Sequence, residues 1–250
     1  MDAALMQPTV LVIGAAGGVG HGIASHLLDT GHAVIAAGRQ REALLALGVR
    51  LGKPDALTLL PASVESDAAA RALVRELREL RRRFAAIVVA TGSLRHSARL
   101  LDCDEVFLDD RLHADVVSRH VAARHLVPLL AETSPGALYL DIGSAAAEFP
   151  WAGYGHHSVT SAAQRMLARV LHDESRGLAV RVQHLSLGGA VRTHLNAHCA
   201  SDDWLDAAEV GAHVAGLIAG SDGAAAVLGL RAGGLPQPID AYAFNLKERS

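Results

Sequence analysis

Thr9-Val10-Leu11-Val12-Ile13-Gly14-Ala15-Ala16-Gly17-Gly18-Val19-Gly20 is the stretch that decides the fold. Five residues with the apolar run of a buried strand pass straight into a turn of small residues, and a helical stretch, Val19–Asp29, follows. Larger side chains would hold a ligand away from the main chain here. Glycines permit the tight turn and expose N–H groups, with the positive end of a helix dipole behind them. The backbone of Gly14, Ala16, Gly17, Gly18, Val19 and Gly20 is therefore expected to cradle the diphosphate of a dinucleotide. The bland alternative is a glycine-rich packing turn without a ligand.

Outward from this turn the chain alternates strand and helix. Apolar runs at Thr9–Ile13, Ala33–Ala37, Ala56–Leu60, Ala85–Ala90, Ala137–Ile142, Leu178–Leu185 and Ala225–Leu230 read as buried parallel strands. Ser66–Arg82 reads as an amphipathic helix, with Ala70, Leu73, Val74, Leu77 and Leu80 on one face and Arg81, Arg82 and Arg83 at its solvated end. The expected fold is an α/β, Rossmann-type doubly wound sheet of about seven parallel strands, covered by helices on both faces. No linker divides it, so residues 1–250 read as one domain. Pro8, Pro61, Pro128 and Pro135 are expected near element ends.

The end of the second strand selects the nucleotide. A site for NAD(H) usually carries a carboxylate there for the ribose hydroxyls, whereas this chain has Gly38-Arg39. With no carboxylate to repel it, a 2′-phosphate can take the guanidinium bidentately, so NADP(H) is the expected form and NAD(H) the weaker ligand. The alternative is that Arg39 merely caps a surface turn.

Composition narrows the remaining classes. The 250 residues are 50% hydrophobic and 20% charged, and 23 basic against 26 acidic residues give a net charge of −3. That balance argues against a nucleic-acid partner. Cys103 and Cys199 form no CxxC pair, and no stretch approaches the length of a membrane span, so a cytoplasmic protein is expected.

Further along lie Val89-Ala90-Thr91-Gly92, Ser144 at a strand end, and Gly188-Gly189-Ala190-Val191-Arg192-Thr193. With the glycine turn, these stretches resemble the short-chain dehydrogenase/reductase family over nearly the whole chain. They match its TGxxxGxG pattern (with Ile13 for threonine), its NNAG stretch and its PGxVxT loop, in the right order. The resemblance implies further cofactor contacts at Ser63, Val64, Ala90, Gly92, Gly189, Val191 and Thr193. It also implies a substrate loop at about 194–206, a following helix over Asp206–Asp222, and a homodimer or homotetramer built on long helices at Asp104–Leu130 and His157–Ser175. The family's catalytic serine is matched by Ser144. Its tyrosine, thirteen residues on, falls on His157, and its lysine, four further, on Ser161. Its asparagine falls on Asp115, and an aspartate that often touches adenine is Ser63.

These substitutions bear on the chemistry. Histidine titrates near ~6.5, so a donor at 157 needs no lysine to tune it, unlike a phenol near ~10. The expected reaction is reduction of a carbonyl on a small molecule, with Ser144 hydrogen-bonding the developing alkoxide and His157 delivering the proton. Tyr154, seven residues before Ser161, is an alternative donor, for reduction of a conjugated double bond. Otherwise it and Trp151 are pocket walls. A non-redox dehydratase, isomerase or cyclase using Ser144, Tyr154, His156 and His157 stays open, as does an NADP(H) sensor or partner subunit without turnover. His194 and His198, four apart beside Cys199 and Asp202, have ligand spacing if helical, but solvated side chains or substrate contacts are the simpler reading and no metal is expected.

Overall fold

The computed structural model describes residues 9–52, 55–92, 97–220 and 225–239. Its first half runs β1 (Thr9–Ile13), α1 (Gly18–Asp29), β2 (Ala33–Gly38), α2 (Arg41–Leu51), β3 (Leu57–Pro61), α3 (Asp67–Glu79) and β4 (Phe84–Val89). Then come α4 (Glu105–Leu112), α5 (Ser118–Thr133), β5 (Leu138–Ser144), α6 (Gly155–Glu174) and β6 (Arg181–Leu187). The last elements are β7 (Val191–Arg192), β8 (Leu205–Asp206), α7 (Ala207–Ala219), β9 (Val227–Leu230) and β10 (Gln237–Pro238).

All five residues of β1 are buried, which is what a strand covered on both faces requires. Side-chain alternation sends Val10 and Val12 to one face, against Ile23, Leu27, Leu44, Val210 and Leu217 of α1, α2 and α7. Leu11 and Ile13 go to the other, against Leu73, Leu77, Leu126 and Leu130 of α3 and α5. The eight-stranded sheet has the order β10-β9-β6-β5-β4-β1-β2-β3. Strand order reverses between β1 and β4, so a crevice opens at their carboxyl ends, where open α/β sheets take their ligands.

The fold is the expected one, with local departures. Seven strands are parallel, and β10 adds an antiparallel edge beside β9. β6 starts at Arg181 rather than Leu178, which is 44% exposed in the preceding turn. It continues to Leu187 because Ser186 and Leu187 find partners in both β5 and β9. Pro128 lies inside α5, not near its end. The helix continues there because buried Leu126, Val127, Leu129 and Leu130 hold it against the sheet. Pro8 and Asp222 lie outside the described residues. No helix among the described residues is long and apolar enough to cross a membrane.

Candidate active site

The glycine turn joins β1 to α1 as a bare helix N-terminus. Gly17 caps α1 without a side-chain hydrogen bond, and the first turn holds no acid, so the helix's leading N–H groups have no capping side chain. Gly14 has φ +86°, and a Cβ on it would lie 2.6 Å from the carbonyl oxygen of Ala90. The turn therefore lies flat on the end of β4. Ala90 and Gly92 follow that strand, and Ser63 and buried Val64 follow β3, at the same carboxyl-end edge of the parallel sheet. A Cβ on Gly18 would meet the Thr193 side chain at 2.7 Å, so the loop after β7 closes directly onto the glycine turn. Gly189 and Val191 lead into that contact.

Asn196 fixes the loop, its Oδ1 accepting from the Thr193 N–H at 2.7 Å and from the Thr193 hydroxyl at 3.0 Å. His194 stacks on His21 of α1, with ring centroids 4.4 Å apart. Burial lowers the pKa of both imidazoles, His194 and Arg50 lowering His21 further and Arg50 lowering His194. Only a three-residue 3-10 turn, Ala197–Cys199, interrupts the segment. His194 and His198 therefore do not share an α-helical face, and the i,i+4 ligand geometry is not formed. Among the described residues no group of three or more His, Cys, Asp or Glu side chains is placed to hold a metal.

At the end of β2, Arg39 does not stand alone. Its guanidinium is ion-paired with the carboxylate of Glu65, which follows β3. The sequence reading missed this carboxylate because it arrives from the neighbouring strand, 26 residues away.

Ser144 ends β5, and its Oγ accepts from the Ala146 N–H at 3.1 Å, opening a short 3-10 turn. That turn is tied to α6 by Arg165, which ion-pairs with Glu148 and donates to the Ala147 carbonyl at 3.3 Å. The Trp151 N–H donates to Ser158 Oγ at 3.0 Å. α6 begins at Gly155, two residues earlier than expected, with Tyr154 as its N-cap. The Trp151 ring covers this helix start, 4.6 Å from Tyr154 and, edge-on, 6.1 Å from His157. Burial lowers the His157 pKa, and the nearby His156 and Arg119 lower it further. One turn along, Ser161 is buried, and its hydroxyl has no hydrogen-bond partner among the described residues.

Asp115 lies in a π-helical turn, His113–Val117, between α4 and α5. Such a turn widens the helix and re-aims its side chains. The Asp115 carboxylate accepts from Thr160 at 3.4 Å, and its backbone carbonyl accepts from Gln164 at 2.9 Å. Burial pushes the Asp115 pKa up, opposed by Arg119, Arg111, the Thr160 hydrogen bond and His156.

Beneath these groups lies a charged cluster that the sequence reading did not single out. Arg119, 5% exposed, ion-pairs with Asp141 of β5 and donates to the Thr91 carbonyl. The other Asp141 oxygen meets His184 Nδ1 of β6 at 2.8 Å. Burial lowers the Arg119 pKa to about 10, so the guanidinium stays charged. Burial, then Arg119, Arg165 and Arg169, push the His184 imidazole down to about 3. It is neutral and donates to a carboxylate that Arg119 already balances. Two signals in the sequence point here. Asp141 is a carboxylate inside an apolar strand, and Arg119 stands four residues after Asp115, as on one face of a helix.

Comparison with known proteins agrees with this geometry. Residues 8–204 match the family model of the short chain dehydrogenases. The NADP-dependent 3-hydroxy acid dehydrogenase YdfG of Salmonella typhi is 30% identical over 183 residues, 72% of this chain and 71% of that protein. Sulfoacetaldehyde reductase 2 of Chromohalobacter salexigens is 25% identical over 185 residues, 74% and 73% of the two chains. Among solved structures, Pseudomonas aeruginosa RhlG in an NADP active-site complex superposes with a TM-score of 0.78 at 25% identity, covering 93% of this chain and 99% of that one. With the model spanning most of its length and the sheet order, glycine turn and strand-end serine in place, the chain belongs to the short-chain dehydrogenase family of NAD(P)-dependent oxidoreductases.

Proposed function

We propose that the protein is an NADP(H)-dependent oxidoreductase that interconverts a carbonyl and an alcohol on a small molecule, with Ser144 and His157 as its catalytic residues. The residues present fit the coenzyme. The uncapped start of α1 and the turn from Gly14 to Gly20 would hold the diphosphate, Arg39 the 2′-phosphate, and Thr193 the nicotinamide half. When bound, the nicotinamide supplies or takes up the hydride. Ser144, at the strand end, donates a hydrogen bond to the substrate oxygen. His157 carries the proton, giving it to the alkoxide in reduction and accepting it from the alcohol in oxidation. Because its pKa is lowered, His157 is mainly neutral at pH 7 and there acts more readily as a base.

The observation that carries this reading is the bracing of the turn after Ser144 to the start and middle of α6. The bonds of Arg165 to Ala147 and Glu148, and of Ser158 to the Trp151 N–H, tie the stretch after Ser144 to the helix that carries His157, which supports the assignment. Activity is tested by following NADPH absorbance with a carbonyl panel that includes sulfoacetaldehyde, the aldehyde named for one relative, and 3-oxo acids, the oxidised counterparts of the 3-hydroxy acids named for the other. His157→Ala is expected to lower kcat by roughly 10²–10⁴-fold, and an undiminished rate refutes the assignment.

The buried Asp115, with its raised pKa and Thr160 hydrogen bond, favours a second reading. A carboxyl whose pKa is raised by burial suits acid–base chemistry such as dehydration or isomerisation. Turnover with no change in coenzyme redox state would select it.

A further inference from the structure

We propose that Glu65 acts with Arg39 as a two-way coenzyme selector, its carboxylate opposing a 2′-phosphate and serving the ribose hydroxyls of a coenzyme that lacks one. The inference rests on the dinucleotide reading of the crevice.

The geometry begins with the strands. β2 and β3 are parallel with Gly38 opposite Pro61, and the Ala62 N–H donates to the Gly38 carbonyl at 2.9 Å. The two strand ends therefore finish level, which brings Arg39 and Glu65 across from one another at the edge of the crevice. Both side chains are largely solvated, at 64% and 44% exposure. An ion pair this exposed is worth no more than about fivefold in an equilibrium. A phosphate group, with close to two charges and three acceptor oxygens, displaces the carboxylate from the guanidinium readily.

Displacement does not remove the carboxylate. The backbone of Glu65 is held by its N–H to Ser63 Oγ at 3.2 Å and by its carbonyl to His113 Nε2 at 3.3 Å, while neighbouring Val64 is 4% exposed. Only the side chain can swing. A negative charge thus stays within side-chain reach of the Arg39 head, where the 2′-phosphate would sit, and like charge at that range weakens its binding. The same carboxylate can accept hydrogen bonds from an unesterified ribose, the job an acid performs in NAD sites. Arg39 pulls toward one coenzyme and Glu65 toward the other.

The experiment is isothermal titration of NADPH, NADH and 2′-phospho-ADP-ribose into the full chain and its Glu65→Gln and Arg39→Gln variants. Both substitutions replace exposed side chains with uncharged ones of similar shape, and unchanged thermal melts confirm folding. Glu65→Gln is expected to tighten NADPH and 2′-phospho-ADP-ribose by roughly threefold to tenfold and to weaken NADH, and unchanged NADH binding refutes the ribose contact. Arg39→Gln is expected to weaken only the two 2′-phosphorylated ligands. If Glu65→Gln shifts NADPH and NADH by the same factor, or shifts neither, Glu65 is no selector. If no variant, the parent included, binds any of the three, the dinucleotide reading itself fails and the inference with it.

Discussion

The lowered pKa of His157 fixes the sign of a pH profile. Reduction requires the imidazolium as acid, so its rate should be flat below the His157 pKa and fall about tenfold per pH unit above it. An ordinary imidazole near ~6.5 is about one-tenth protonated at pH 7.5, and His157, displaced downward by burial, His156 and Arg119, is protonated less than that. Reduction at pH 7.5 should therefore run below about one-tenth of its acid plateau. Oxidation uses the neutral ring and should rise with pH and level off above the same pKa. The assay is kcat/KM in both directions across pH 5–9 under saturating coenzyme, with His157→Gln alongside. A reduction rate that is flat across the range, or that rises with pH, refutes His157 as the proton carrier. So does a Gln variant that keeps the parental profile.

Asp141→Asn should destabilise the fold by about 3–5 kcal/mol in urea melts, because it removes the carboxylate that is ion-paired with buried Arg119. Asp141→Leu combined with Arg119→Met should recover part of that loss. Asp115→Asn should raise Tm at pH 7. A carboxyl whose folded pKa lies above its unfolded value near ~3.9 takes stability away as pH rises through that interval, and the amide lacks that penalty. Gly14→Ala forces a side chain to φ +86° and into the Ala90 carbonyl. It should cost about 1–3 kcal/mol by urea melts and abolish NADPH binding by calorimetry. Val159, Met166 and Val170 form an exposed apolar stripe on α6, which we propose as the face of a homo-oligomer; Met166→Glu with Val170→Glu should then lower the mass in light scattering, and an unchanged mass refutes that face.

The sheet was legible because its strands are buried on both sides, and runs such as Thr9–Ile13 and Ala33–Ala37 leave little other reading. Where burial was one-sided or local, the pattern thinned. β10 is two residues long, contains Pro238, and has no apolar alternation to announce it. Leu178 looks like a strand residue but belongs to the turn before β6, since only paired neighbours distinguish the two. The same limit applies at the candidate site. The glycine turn and the strand-end Ser144 are local features and were visible. Glu65 on Arg39, His194 on His21 and Arg119 on Asp141 are contacts between distant segments, and nothing in either partner's neighbourhood names the other. The mid-strand carboxylate Asp141 signals that a partner exists but not which residue it is.

On the proposed assignment, the differences at 157 and 161 amount to one electrostatic change. A cation placed against a phenol draws its pKa from near ~10 toward neutrality and helps catalysis. Placed against an imidazole, the same cation draws a pKa near ~6.5 away from neutrality, and the ring loses its proton where it is needed. Histidine at 157 therefore gains from a neutral neighbour, and Ser161, buried and uncharged, provides one. The positive charge that remains, Arg119, projects from α5 rather than α6 and is tied to Asp141 and the Thr91 carbonyl. Held by that carboxylate, it stands third, behind burial and His156, among the causes lowering His157. Ser161→Lys alone should therefore depress reduction further, while Ser161→Lys together with His157→Tyr should shift the proton-carrying pKa upward.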